Sequence, residues 1–285
     1  MKYSVKENIG LLDFLIKETG KKRNDIKNLL KYKNIYVNGN VETYYAYELK
    51  IGDSVDIDTT KQASLPFPIV YEDKDIIVID KPCGLLTEKT NHESQKTAYH
   101  IVKDYLAHKK EKIYLVHRLD QYTSGLLMFV KNQKLYDLLT QQWNEVVKVR
   151  GYVAVVEGKL NKPNGVIINY LTESKSQNVY ITSKEKGKKA ITHYKQIQTN
   201  GQYTMVNLRL DTGRKNQIRV HMSSLNHPII GDEKYGAKTN PIHRLGLHAH
   251  ELMFIHPLTH QEMRFVSHTP ESFEKIFNKK NKRKR

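Results

Sequence analysis

The apolar positions of this chain change period along its length. In LLDFLIKET (11–19) and RNDIKNLLKY (23–32) they fall at helical spacing: Leu12, Leu15 and Ile16, then Ile26, Leu29 and Leu30. That spacing predicts two short amphipathic helices. IYVNGNV (35–41) alternates around Asn-Gly, a strong hairpin signal, and IGDSVDI (51–57) is a turn followed by period-two apolar positions. Residues 1–60 therefore predict a small α/β unit. TTKQASLPFP (59–68) has no helical period, and Pro66 and Pro68 hold the backbone extended, so residues 61–68 are predicted to be a linker.

From residue 69 the pattern favours strands. DIIVID (75–80), GLLMFVK (125–131), YVAVVEG (152–158) and TMVNLRL (204–210) are β-like runs, with helices predicted over 95–108 and 133–145. No regular βαβ period and no internal repeat is present. The pattern predicts an α+β domain over 69–278, built on a mixed, mainly antiparallel β-sheet.

Charge adds a partner. The 285 residues carry 47 Lys+Arg against 30 Asp+Glu, a net charge of +17. Such an excess attracts polyanions, nucleic acid first and an anionic membrane surface second. Six of those charges lie in KKNKRKR (279–285), predicted to be a basic flexible tail. The second helix bears Lys21, Lys22, Arg23, Lys27, Lys31 and Lys33 against Asp25. Apolar runs such as IIVI (76–79) are too short to span a bilayer, and MKYSVKENIG is not a signal peptide. The one cysteine, Cys83, excludes an intrachain disulfide and a Cys-based zinc cluster. A reducing, cytoplasmic setting is expected, and a monomer, because no long exposed apolar helix is evident.

Two segments concentrate reactive groups. VHRLDQYTSGLLMFVK (116–131) sets His117, Arg118 and Asp120 ahead of a Thr-Ser-Gly turn and an apolar strand, the loop-into-strand placement that suits an active site. By residue type Asp120 is open to three roles: nucleophile, general base or metal ligand. LRLDTGRKNQIRVHMSSLNHPIIGDEKYG (208–236) brings Arg214, Arg219 and His221 beside polar groups, which suits phosphate binding. Its QIRVHM run alternates polar and apolar, as a strand would. GRKNQ lacks the Gly-Lys-Ser/Thr ending of a Walker loop. His248, His250, His256 and His260 have no His-Glu-x-x-His frame and read as structural or surface histidines, not as metal ligands.

These segments together resemble the RluA family of RNA pseudouridine synthases. HRLDQYTSGLL matches its His-Arg-Leu-Asp-x-x-Thr-Ser-Gly-Leu-Leu signature, IVIDKPCGLLT (77–87) its Lys-Pro-x-Gly strand, RGYVAVVEG (150–158) its Tyr-bearing strand, and GRKNQIRVH its Gly-Arg-x-x-Gln-Ile-Arg-x-His segment. GDEKYG and RLGLHAHELMFIHP (244–257) follow in the family's order. The family often has Thr-His where this chain has Lys215-Asn216. The resemblance implies an RNA pseudouridine synthase that needs no cofactor and no metal and acts on structured RNA, rRNA first and tRNA second, by base flipping. It implies Asp120 as the catalytic aspartate, Arg219 as the cation that pairs with it bidentately and lowers its pKa, and Tyr152 as the active-site tyrosine. Arg118 would fill the stack after the target nucleotide leaves. His117, Arg214, Leu127 and Ile218 would contact the substrate, the last two as apolar walls, and Lys81 and Pro82 would be mostly structural. Residues 1–60 resemble the S4 RNA-binding domain, through IYVNGN and IGDSVDI, which implies that Lys22, Arg23 and Lys27 face RNA phosphates. The alternatives are a catalytically silent RNA-binding or ribosome-assembly protein on the same fold, and a metal-dependent nuclease.

Overall fold

A computed structural model describes residues 1–31, 34–58, 65–89, 96–107 and 109–278. Part of the predicted linker, 61–64, and the whole tail, 279–285, lie outside the described residues. The chain divides into two compact units, Met1–Ser64 and Leu65–Arg285.

The first unit runs β1 (Lys2–Ser4), β2 (Ile9–Gly10), α1 (Leu11–Thr19), α2 (Arg23–Lys31), β3 (Ile35–Val37), β4 (Asn40–Val41), β5 (Glu48–Leu49) and β6 (Ser54–Ile57). β3 and β4 form the Asn-Gly hairpin, with Val37 opposite Asn40 and φ positive at both Asn38 and Gly39, as a type I′ turn requires. The apolar faces of α1 and α2 meet β3 and β6 in one core of Leu12, Leu15, Ile26, Leu30, Val37 and Val55. Lys22, Arg23 and Lys27 stay exposed, and Lys27 lies 5.3 Å from the Tyr45 ring centre.

The second unit is an α+β domain on one large, mostly antiparallel mixed sheet. Its elements are β7 (Ile69–Glu72), β8 (Ile76–Lys81), α3 (Ala98–Ala107), β9 (Tyr114–Leu115), β10 (Ser124–Val130), α4 (Gln133–Val146), β11 (Val147–Glu157), β12 (Asn164–Glu173), β13 (Val179–Thr182), β14 (Lys188–Thr199), β15 (Tyr203–Leu210), α5 (Gln217–Ser224), a 3-10 turn Glu233–Tyr235, β16 (Leu247–Ile255), β17 (Glu262–Val266) and α6 (Glu271–Lys275). The strand order is β13-β12-β14-β15-β11-β16-β10-β8-β7. The pairing of β10 with β16 is parallel; the other pairings are antiparallel.

Every residue of β10 is buried, since both sheet faces are covered there. Leu126, Met128 and Val130 pack with Leu135 and Leu139 of α4 on one face. Leu127 and Phe129 point the other way, where Phe129 meets the Tyr99 ring of α3. The parallel contact leaves no room at Gly125. Its φ is +112°, and a Cβ there would lie 2.1 Å from the Ala249 carbonyl oxygen. Gly125→Ala is expected to cost about 3 kcal/mol or more and to lower Tm by roughly 6–12 °C in a thermal melt. A change under 2 °C would mean that β10 and β16 do not pair this closely.

The period-two reading of QIRVHM fails, because residues 217–224 form helix α5. The apolar Ile218, Val220 and Met222 are buried, but so are Gln217 and His221. Gln217 Nε2 donates to the Ile191 carbonyl and to Thr192 Oγ1, both at 2.9 Å, and His221 Nδ1 lies 2.8 Å from Thr192 Oγ1. Polar side chains bonded to β14 thus sit on the core side of the helix, although His221 Nε2 has no partner there, and the sequence looks alternating where the fold is helical.

Candidate active site

A cavity of about 1210 Å³ opens in the second unit, lined by the HRLD loop, the start of β11's core segment, the Gly213–Arg219 turn and helix, and β16. Asp120 lies in the turn before β10, where Thr123 N donates to the Asp120 carbonyl at 3.1 Å. The preceding strand's Lys-Pro-x-Gly end clamps this turn. Lys81 is fully buried, and its Nζ donates to the carbonyls of Pro82, Leu85 and Gln121 at 3.1, 2.7 and 3.0 Å. Gly84 N donates to Gln121 O, and Thr87 Oγ1 to Leu119 O. Burial pulls the Lys81 ammonium down to about 8, yet three carbonyls on one nitrogen keep the loop beside Asp120 in one geometry.

Arg219 projects from α5 towards Asp120, but its fork engages another acid. Nε and Nη2 donate to Asp232 Oδ2 and Oδ1 at 2.8 and 2.7 Å, and Nη1 donates to Asn216 Oδ1 at 3.0 Å. Only Nη1 reaches Asp120, at 3.8 Å. The expected bidentate Arg219–Asp120 pair is therefore replaced by an ion contact from a guanidinium already held on its far side. Asn216 Nδ2 also donates to Tyr235 Oη at 3.0 Å, and the Tyr235 ring lies 4.9 Å from the guanidinium carbon. Burial weighs against the Arg219 charge, but Asp232, with Asp120 behind it, more than offsets that and holds it more firmly protonated.

The expected lowering of the Asp120 pKa is also reversed. The side chain keeps 34 % of its surface, at the floor of a concave site. The surrounding walls remove enough solvation to push its carboxyl above the usual aspartate range, while Arg219, Lys215, Lys81 and Arg118 pull the other way by less. Tyr152 lines the same cavity, and burial pushes its phenol up to about 12, so it is neutral at pH 7. His117 accepts a hydrogen bond at Nε2 from Met128 N at 3.0 Å, and burial lowers it to about 4. It is a neutral ring, with Trp143 5.4 Å away.

Arg118 and Arg214 line the cavity too. Arg118 is exposed and pairs with Glu88 at 2.8 Å, and Arg214 Nε donates to the Lys189 carbonyl. Ile218 is at the wall, as expected. Leu127 is not: it faces the core opposite Ile79, and its neighbour Leu126 lines the cavity. Lys22, Arg23 and Lys27 belong to the first unit. His248 and His256 are buried, and His248 bridges Ser124 and Ser267. The sequence marks the Gly-Asp-x-x-Tyr-Gly segment but nothing in it distinguishes Asp232 as the partner of Arg219.

A cation-flanked carboxylate and a neutral tyrosine thus share one cavity on this sheet. A family model described as RNA pseudouridylate synthase matches residues 75–224. The uncharacterized RNA pseudouridine synthase YjbO of Bacillus subtilis is 34% identical over 259 residues, covering 87% of this chain and 91% of that protein. Ribosomal large subunit pseudouridine synthase D of Borreliella burgdorferi is 34% identical over 230 residues, covering 78% and 71%. The solved structure of human RNA pseudouridylate synthase domain containing 4 has the same fold, with a TM-score of 0.61 at 24% identity over 72% of this chain and 90% of that one. The chain belongs to the RNA pseudouridine synthases, in the RluA family that its motifs resemble.

Proposed function

We propose that this enzyme isomerises a uridine of large-subunit rRNA to pseudouridine, with Asp120 as the nucleophile and the target base flipped into the cavity. The observation that carries this reading is Asp120 at the cavity floor, with Arg219 at 3.8 Å and with Tyr152 and Arg118 in the same lining. The reaction breaks the N1–C1′ bond, turns the uracil and forms a C5–C1′ bond. C5 loses a proton and N1 gains one, so no electrons are exchanged and no redox group is required. The Asp120 carboxylate holds the freed fragment covalently while the base turns. The Tyr152 ring packs on the uracil, and its neutral hydroxyl can donate to a base oxygen. Exposed Arg118 takes the place of the extruded base, which offsets part of the few kcal/mol that extrusion costs. Lys22, Arg23 and Lys27, on an S4-like first unit, hold flanking phosphates. The enzyme works as a monomer in a reducing cytoplasm, with no metal or cofactor.

Purified enzyme acting on unmodified transcripts of large-subunit rRNA and of tRNA tests the substrate. Pseudouridine in the rRNA alone, measured by nucleoside chromatography, is expected. Formation only in tRNA would redirect the reading, and tight rRNA binding without any pseudouridine would favour the catalytically silent alternative.

Asp232 acts through Arg219. Asp232→Asn leaves the fork less firmly held and its charge less compensated. The account predicts roughly 10-fold lower kcat and an acid limb of the pH–rate profile displaced to lower pH, because the freer cation lowers the Asp120 pKa more. An unchanged profile would mean that Asp232 only supports the fold.

A further inference from the structure

Among the described residues of the second unit, the outer part of the sheet has one open face. Residues along a strand point alternately to its two sides. On β12, β14 and β15, Leu171, Ala190, Thr192 and Leu208 are buried on the side that α5 packs against. The intervening residues face the other way, and several are large and apolar. Val166 is 52 %, Ile168 55 % and Tyr180 49 % exposed.

The register sets cations round this centre. Lys189 lies opposite Tyr170, Lys195 opposite Asn164, and His193 joins Val166 on one side to Arg209 on the other. The two lysines are six steps apart along β14, a span of about 20 Å. Among the described residues neither lysine side chain has a carboxylate partner. Arg209 gives one nitrogen to the Lys148 carbonyl and keeps the rest of its fork. No open-face position of β12 to β15 is acidic; the nearby carboxylate of Asp211 is bonded to His193. Exposed apolar surface with a basic rim marks a contact site.

We propose that this face, on the side of the sheet opposite Tyr152, is a second RNA platform that takes a single-stranded segment of the substrate RNA. Bases lie on Tyr180 and the Val166–Ile168 pair, and phosphates meet Lys189, Lys195 and Arg209. Aromatic rings on an open sheet offer unpaired bases a stacking surface that a duplex cannot use. A second copy of this chain is a poor occupant, because pairing the face with itself would bring the same cations together. The inference rests on the chain acting on RNA, and not on the role of Asp120.

The test measures binding of the full chain to a fluorescent 12-nucleotide oligouridylate and to a 12-base-pair RNA duplex across a salt series. For Lys189→Gln/Lys195→Gln/Arg209→Gln the expected result is at least ~10-fold weaker oligouridylate binding at about 0.1 M salt. The slope of log Kd against log salt should be shallower by about 2, near 0.7 for each of three phosphates. Tyr180→Ser should weaken oligouridylate by ~5-fold or more with the slope unchanged, and should leave the duplex alone. Photocrosslinking of a 4-thiouridine oligonucleotide to the wild-type protein should label the peptide that carries Tyr180. Wild-type affinity in both variants, equal losses for duplex and single strand in Tyr180→Ser, or crosslinks confined to other segments would each overturn the platform. So would a larger loss of binding to a 12-residue polyglutamate than to oligouridylate, which would assign the face to an acidic protein. The two readings fail separately: the platform is judged by oligouridylate binding and crosslinking of Tyr180→Ser and the triple variant, and the catalytic assignment by pseudouridine formation in Asp120→Asn.

Discussion

Asp120→Asn is expected to remove pseudouridine formation, by at least ~10³-fold in turnover, while RNA binding stays within a few-fold of the wild type. The amide keeps the shape of the carboxylate and cannot attack. The same substitution is expected to stabilise the protein. Burial raises the Asp120 pKa in the folded state above its unfolded value. Stability from such a group is fully present below the unfolded pKa, about 3.9, and is lost as pH rises through the folded pKa. At pH 7 the ionised carboxylate therefore works against the fold, as groups held for chemistry often do. Thermal melts should give Asp120→Asn the higher Tm at pH 7, and the advantage should shrink as the pH falls towards 4. A lower Tm at pH 7 would mean that the surrounding cations, and not the cavity walls, dominate the carboxylate.

Arg219 is the second large effect. Its fork is committed to Asp232, and only Nη1 is turned towards Asp120. A lysine supplies a charge but cannot hold Asp232 bidentately and reach Asp120 together. Arg219→Lys is expected to lower kcat by ~10²-fold or more with a small change in KM. Arg219→Ala also removes a cation that pulls the Asp120 pKa down, so its acid limb should move to higher pH, opposite in sign to Asp232→Asn. The alanine variant leaves Asp232, 1 % exposed, without its counter-charge; about 3–5 kcal/mol of stability should go with it. Measuring kcat across pH for all three variants separates charge from geometry. Full activity in Arg219→Lys would show that charge alone suffices.

Much of the site was legible in the sequence. Motif order alone brought Asp120, Tyr152, Arg118, Arg214, Ile218 and Arg219 to one cavity, because the motifs mark strand ends and turns that a single sheet gathers. What escaped depended on pairing across the chain. Leu126 and Leu127 are adjacent leucines on opposite faces, and nothing local says which face looks into the cavity; the register with β8 and β16 decides it. Asp232 sits thirteen residues beyond Arg219 in a turn rich in polar groups, and only the fold makes it the arginine's main partner. The direction of the Asp120 pKa was misjudged for a related reason: a nearby arginine is visible in a motif, whereas the low solvation of a cavity floor is a property of walls from four segments. Helix α5 was hidden because Gln217 and His221 are buried through hydrogen bonds to Thr192. The strands β12 and β14 were missed because one of their faces is open, which mixes exposed Val166 and Ile168 with lysines and blurs the alternation.

The most direct test of Asp120 as the catalytic group in rRNA is a pseudouridine map of large-subunit rRNA from a deletion strain, complemented with wild type or with Asp120→Asn at equal protein level. The account predicts one or a few uridines that lose pseudouridine on deletion, regain it with the wild type and stay unmodified with Asp120→Asn. Restoration of those positions by Asp120→Asn would contradict it.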